Sequence, residues 1–354
     1  MWALENLTPF VAERSWVRDK NGAEVWVVAI KASFDFTATG QVILAERQQP
    51  ITLAATYADK AYTMLRYDTD LPECKMATDV LINGTAYAPD GHPAKQWVVN
   101  VRVGPINKSL LISGNRVWQK RRLTPVLSEP TPLLSLPLCY QYAFGGYNMV
   151  DSKNEPSVYS RNPIGRGYAR EKSVFMGKKM PAPNIEYLSS PIREWQDQPP
   201  PAAFSAIPGH WQPRVGFAGT YDQTWEQQRH PLLPEDFDSR FFQCAPLDQQ
   251  VPGFLKGGEP VQLNHLTLIK KLSFRLPKAS FHLVTRFSDG HKQVHRAHLH
   301  TVIIEPDQHR IMMVWHSHLR CHHRVNQLEN TRIQLKKRIL LHDANDAVNP
   351  AWSG

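Results

Sequence analysis

A mainly β fold is what this 354-residue sequence predicts: an antiparallel sandwich-like N-terminal sheet and a C-terminal β-meander, joined by a long ordered loop region. Three observations carry that expectation. Short apolar or alternating runs follow one another closely, with no stretch of helical period between them. Turn signals punctuate them, among them Thr39-Gly40, Ala88-Pro-Asp-Gly-His92 and Ser288-Asp289-Gly290. Proline is abundant at 28 residues, about 8% of the chain against roughly 5% in an average protein, which disfavours long helices.

Residues 1–120 form the first expected unit. Glu24–Phe36 opens with a β-branched and aromatic run and then nearly alternates, as a half-buried strand does. Gln41–Ala45 returns after Thr39-Gly40. Thr78–Tyr87 carries Asn83-Gly84 at its middle, a tight turn or a bulge. Trp97–Gly104 and Lys108–Trp118 are two further strands, broken by Gly-Pro and Gly-Asn.

Residues 121–260 change character. Eight prolines fall between Pro181 and Pro213. Aromatics are interleaved, including Phe144, Tyr159, Tyr168, Phe175, Trp195, Phe204, Trp211 and Trp225. A disordered linker is poor in aromatics, so these are expected to be ordered loops pinned over a sheet. One short helix is expected over Asp222–Arg229, capped by Asp222 and stopped by Pro231.

Residues 261–354 return to strands: Val261–Leu268, Leu272–Leu276, Ser280–Phe287, Arg296–Glu305 and Arg310–Trp315. Glu329–Leu341 fits a strand or a short basic helix equally well. Charge is concentrated here. The whole chain has 41 Lys/Arg against 32 Asp/Glu, a net of +9. The last 94 residues hold 14 and 6 of these, a net of +8, which leaves +1 for the first 260.

Composition narrows the function classes. Cys74, Cys139, Cys244 and Cys321 are far apart with no CxxC pair, unlike a disulfide framework or a zinc ribbon. The N-terminal residues lack an apolar run of signal-peptide length, and no run of roughly 18 apolar residues occurs to span a membrane. The expected location is the cytoplasm.

Several side-chain constellations have the composition for chemistry. Nine of the 15 histidines lie between His291 and His323. His298/His300 and His316/His318 are spaced to share a strand face, which suits zinc or copper; solvent-facing histidines on a basic sheet are the simpler expectation. Arg161-Asn-Pro-Ile-Gly-Arg-Gly-Tyr168 has the composition of an anion-binding turn but lacks a P-loop's strand, helix and GK[ST] ending. Its glycines equally suit a structured turn. No GxSxG, HExxH or Cys-His signature is present. Asp236, Asp238 and Asp248 are spaced for paired acid–base work, or for capping turns and pairing with Arg240. No cofactor, metal or catalytic residue is expected. Lys270-Lys271 and Lys336-Lys337-Arg338 match no nucleic-acid-binding pattern, so the basic segment is expected to face an acidic protein instead.

A series of strings goes further. These are MWALENLTPFVAERSWVRDKNGAEVWVVAIKASFDF, TDVLINGTAYAPDGHP with VRVG after it, YQYAFGG, RNPIGRGY, PNIE, IPGHWQPRVGFAGTYDQTW, PLLPEDFDSRFFQCAP, DQQVPGFLKGGE and LHTVIIEPD. In this order, from Met1 to about Trp315, the chain resembles the bacterial type VI secretion accessory proteins catalogued as domain of unknown function twenty-one sixty-nine. The resemblance implies a non-enzymatic adaptor or chaperone, which binds a secretion effector carrying a PAAR spike tip and helps load it onto the VgrG spike.

The motifs fall on Arg161, Asn162, Pro163, Gly165 and Gly167, then on His210, Trp211, Pro213 and Arg214. They continue on Asp236, Phe237, Asp238, Arg240, Phe241 and Phe242, and on Asp248, Gln249 and Gln250. Each either contacts the partner or holds the loops together. Two rival functions fit the same sequence: a metal-dependent enzyme of effector maturation, and a nucleic-acid-binding protein.

Overall fold

The computed structural model describes residues 1–61, 63–121, 124–148, 157–170 and 179–341. Phe175 lies outside them, as does the chain beyond Leu341. The strands of the three principal sheets are, in chain order, β1 (Ala3–Asn6), β2 (Val11–Arg18), β3 (Glu24–Phe36), β4 (Val42–Leu44), β5 (Ala77–Ile82), β6 (Gln96–Val103), β7 (Ile106–Ser113) and β8 (Ile185–Tyr187). They continue with β9 (Gln250–Pro252), β10 (Pro260–Asn264), β11 (Lys271–Arg275), β12 (Phe281–Phe287), β13 (Lys292–His295), β14 (His298–Glu305), β15 (Arg310–Arg320) and β16 (Leu328–Leu335). The fold is mainly β and mostly antiparallel.

The seven-stranded sheet runs β2–β3–β15–β14–β5–β9, with β4 also on β3; only β14–β5 is parallel. The five-stranded sheet runs β8–β7–β6–β10–β11, and the four-stranded one β1–β16–β12–β13. Strands from both ends of the chain therefore share sheets: β3 pairs β15, and β6 pairs β10. The C-terminal strands keep their hairpin order, but the hairpins β10–β11, β12–β13 and β14–β15 go to three different sheets. The sheets consequently do not divide at residues 120 and 260.

Strand periodicity explains the layering. In β3, Trp26, Val28, Ile30, Ala32, Phe34 and Phe36 point one way into the main core. They meet inward residues of the other sheets, among them Val99 and Val101 of β6, Phe274 of β11 and Leu283 of β12. Phe36 stacks on Phe274 at 5.1 Å. The other face of β3 carries Ala29 and the buried Lys31, and it too is covered. There Leu81, Ile303 and Met312 pack with Leu65, Ala206, Cys244 and Ala245 from the loops. The strand is thus buried on both faces rather than half-buried as its partial alternation suggested, which is why it reads as a nearly continuous apolar run.

Asn83-Gly84 separates β5 from a short strand, Thr85–Tyr87, that joins a different sheet. The middle segment holds helix α1 (Gln223–Gln228), whose cap is Asp222 accepting from the Trp225 N–H. The C-terminal ambiguity resolves as a strand, β16. No helix among the described residues is long and apolar enough to cross a membrane.

Candidate functional site

Buried ionic groups fasten the looped middle to the sheets and to neighbouring loops. Lys108 occupies an inward position of β7, in step with Ile106 and Leu110. Its ammonium donates to the Ala203 carbonyl (2.7 Å), Asp248 Oδ1 (2.9 Å) and Gln249 Oε1 (2.7 Å). Gln249 Nε2 donates in turn to the Val80 and Phe204 carbonyls, and the Tyr187 hydroxyl donates to Asp248. Burial pushes the Lys108 ammonium down to about 8, with Asp248 opposing the shift. Gln250 secures the same turn by donating to the Ala245 carbonyl.

A second clamp lies beneath Gln243 and Cys244. Lys75 Nζ donates to Asp79 Oδ2 (2.7 Å) and Thr301 Oγ1 (3.0 Å). Asp79 also accepts from the Cys244 N–H and Gln243 Nε2, both at 2.8 Å. Burial opposes the charge on Lys75, but the Asp79 carboxylate outweighs it and raises the ammonium pKa. Burial drives the Cys244 thiol far up, so it is a packing residue rather than a nucleophile.

Arg214 forms the third clamp. It donates to the Phe241 and Ile207 carbonyls and to Asp68 Oδ2, with its guanidinium over the Phe241 ring. Asp238 caps the short turn Ser239–Phe242 and pairs with Arg240, which lies over Phe217 at 4.3 Å. Asp236 accepts from the N–H and hydroxyl of Thr220. These hydrogen bonds hold both carboxyls below their ordinary range. Phe237, Phe241 and Phe242 pack mutually at 5.5–5.9 Å. The two aspartates bind separate turns and do not form an acid–base pair.

Arg161–Tyr168 is a packed turn rather than an anion cradle. The fully buried Asn162 donates through Nδ2 to the Tyr140 and Phe144 carbonyls, and its own carbonyl accepts from the Gly146 N–H. A Cβ on Gly165 would lie 2.4 Å from Asn162 Nδ2. Gly167 adopts φ +94° against Pro183, a backbone that favours glycine. Pro163 is half-buried in this turn. Trp211 is buried edge-on against Tyr140 at 5.5 Å.

A family model for an uncharacterized protein conserved in bacteria, DUF2169, matches residues 21–316. The chain belongs to that family. No curated protein and no solved structure matches it. The DUF2169 span contains all three clamps and omits β1, β2 and β16.

Within that span the motif residues divide by exposure. Asn162, Gly167, Trp211, Arg214, Phe237 and Gln249 are buried and hold the loops. Arg161, His210, Pro213, Asp236, Arg240 and Asp248 reach the surface, though the last three are engaged by neighbouring residues. The buried partners Lys31, Lys75, Asp79, Lys108 and Asp70 were not foreseen. For Lys31, Asp79 and Lys108 the signal is a charge at a buried position of an apolar strand, as in VVAIKASF and INKSLLIS; Lys75 and Asp70 lie in loops and carry no such signal.

The histidines match the expectation of a solvent-facing set in part: His291, His298, His309, His318, His322 and His323 are exposed, and three are not. His295, His300 and His316 are buried, because β13, β14 and β15 turn them toward the protein interior. His300 stacks on His316 at 4.6 Å and on Phe254 at 5.3 Å, so the rings lie face to face instead of converging on a point. No group of three or more metal-ligating side chains occurs among the described residues. Burial pushes His295 down to about 4 and His316 to about 3, and lowers His300 well below its ordinary value. His318 and Lys75 add to the effect on His316.

These rings stay neutral in the folded state, whereas the unfolded chain takes up protons below about pH 6.5. Their contribution is complete above that pH and is lost as pH falls toward the folded values. The unfolding free energy, read by urea denaturation, is therefore expected to drop between pH 7 and pH 5, by up to about 1.4 kcal/mol per pH unit for each buried histidine. His316→Gln should flatten that dependence.

Proposed function

We propose that the chain is a non-enzymatic, cytoplasmic adaptor that binds a type VI secretion effector with a PAAR tip and helps load it onto the VgrG spike. One observation supports this best. Leu247 is 84% exposed, yet it sits in a short 3-10 turn between two buried anchors, Cys244 and Gln249. A large apolar side chain held rigidly in water suits a partner contact better than a mobile loop tip does. Leu188, 49% exposed, follows Tyr187, whose hydroxyl is hydrogen-bonded to Asp248 next to Leu247. Each is an exposed apolar side chain beside a residue fixed by that hydrogen bond.

Co-expression with the product of an adjacent PAAR-type effector gene tests the proposal, with a stable stoichiometric complex as the expected result. Leu247→Glu with Leu188→Glu should abolish co-purification and leave the melting temperature nearly unchanged, since both side chains are exposed. An intact complex with the double variant would place the contact elsewhere, and no complex with the unaltered protein would refute the adaptor role.

A further inference from the structure

The four-stranded sheet ends in an edge whose backbone groups and charges are both unmatched. β12 and β13 form a hairpin in which the Gly290 N–H donates to the Phe287 carbonyl and the Phe287 N–H to the His291 carbonyl, each at 2.9 Å. Residue pairs in an antiparallel ladder alternate between bonded and non-bonded. Counting from Phe287–His291, the pairs Thr285–Gln293 and Leu283–His295 are bonded, while Arg286–Lys292 and Val284–Val294 are not. The N–H and carbonyl of Lys292 and Val294 therefore point away from β12. β13 pairs with no other strand, and no other backbone hydrogen bond reaches these two residues among the described residues.

Charge marks the same edge. Lys292 and Val294 stand on the outer face, with Val294 61% exposed. Non-bonded pairs bring side chains closest, so Arg286 and Lys292 face each other as like charges, an unfavourable arrangement. Their ladder row continues through Asn330 to Ala3, neither of which offers an anion. Nearby carboxylates are engaged: Asp289 pairs with Arg324, and Glu5 with Arg332. Glu329 falls in the register shift of β16 rather than opposite either cation. Arg296 adds an exposed positive charge just past the strand. A lysine on an edge strand guards against unwanted pairing, but that purpose does not call for a second cation on the inner strand.

We propose that β13 is a docking edge for an extended acidic segment of a partner protein. The segment adds as a further strand, with a carboxylate opposite Lys292 and an apolar side chain opposite Val294. Because these are two residues apart, the partner carries an acidic and an apolar residue at alternate positions, whichever way it runs. Identifying that partner with the secreted effector rests on the adaptor role proposed above.

The test uses the full chain and a synthetic peptide of Thr-Asp-Thr-Val repeats, with Thr-Lys-Thr-Val repeats as control. The acidic peptide should bind and slow hydrogen exchange at the Lys292 and Val294 amides, and the basic one should not. Arg286→Glu with Lys292→Glu removes the charge match. Val294→Pro removes the outward N–H at an edge position where proline is tolerated. Each variant should weaken peptide binding about tenfold or more. Absence of binding to the unaltered protein, or equal binding by it and the charge-reversed variant, would overturn the proposal. Co-purification of the effector provides a separate readout: if both variants retain it, the effector does not dock on this edge and the adaptor role stands. If the unaltered protein never captures the effector, the adaptor role fails and the peptide result alone decides the edge.

Discussion

Asp79→Ala is expected to destabilise the protein by about 3–5 kcal/mol, because it leaves a buried ammonium without its counter-charge. Lys75 would keep only the Thr301 hydroxyl and the Cys244 sulfur as neighbours within reach. The Cys244 N–H and the Gln243 amide would lose their acceptor at the same time, adding unsatisfied donors to the loss. Urea denaturation followed by tryptophan fluorescence reads the change. Exchanging both partners, Lys75→Met with Asp79→Leu, should recover the part of the loss that comes from the unpaired ammonium, while the Cys244 N–H and the Gln243 amide stay without their acceptor. If the single variant fell by less than about 1 kcal/mol, water would be reaching Lys75 and the clamp would not be buried in solution.

Gly165→Ala is the second large effect. Its Cβ would lie 2.4 Å from Asn162 Nδ2, 2.7 Å from the Ala143 carbonyl oxygen and 2.9 Å from Gly145 Cα. Two of these three atoms are backbone, so no rotamer change relieves the contact. The turn would have to open, which threatens the Asn162 bonds to the Tyr140 and Phe144 carbonyls. A loss of about 3 kcal/mol is expected, measured by thermal melting. Arg161→Ala, only four residues away but exposed, should change stability by no more than about 0.5 kcal/mol. A similar small effect at Gly165 would show that the RNPIGRGY motif does not maintain the backbone.

Local features of the fold were legible in the sequence. Glu24–Phe36 was visible in full because its apolar run comes from burial on both faces. Helix α1 was visible through Asp222, a cap whose hydrogen bond is local. Non-local features were not. β1 is parallel to β16 from more than three hundred residues away, and β2 is an edge strand whose alternation is blurred by Glu13, Arg14 and Arg18. Lys108 looked like an ordinary charge because its partners come from the distant residues 203–249, and Asp79 because the Gln243 and Cys244 donors that bury it with Lys75 come from the same distant stretch. The motifs pointed to the right segments but did not distinguish holding from contact. Burial makes that distinction, separating Asn162 and Arg214 from Arg161 and His210.

Secretion by a strain lacking this gene tests the adaptor role most directly. Its neighbouring PAAR-type effector should remain in the cells and vanish from the medium, and the unaltered gene should restore export while the Leu247→Glu, Leu188→Glu variant should not. Unchanged export of that effector from the deletion strain would contradict the account.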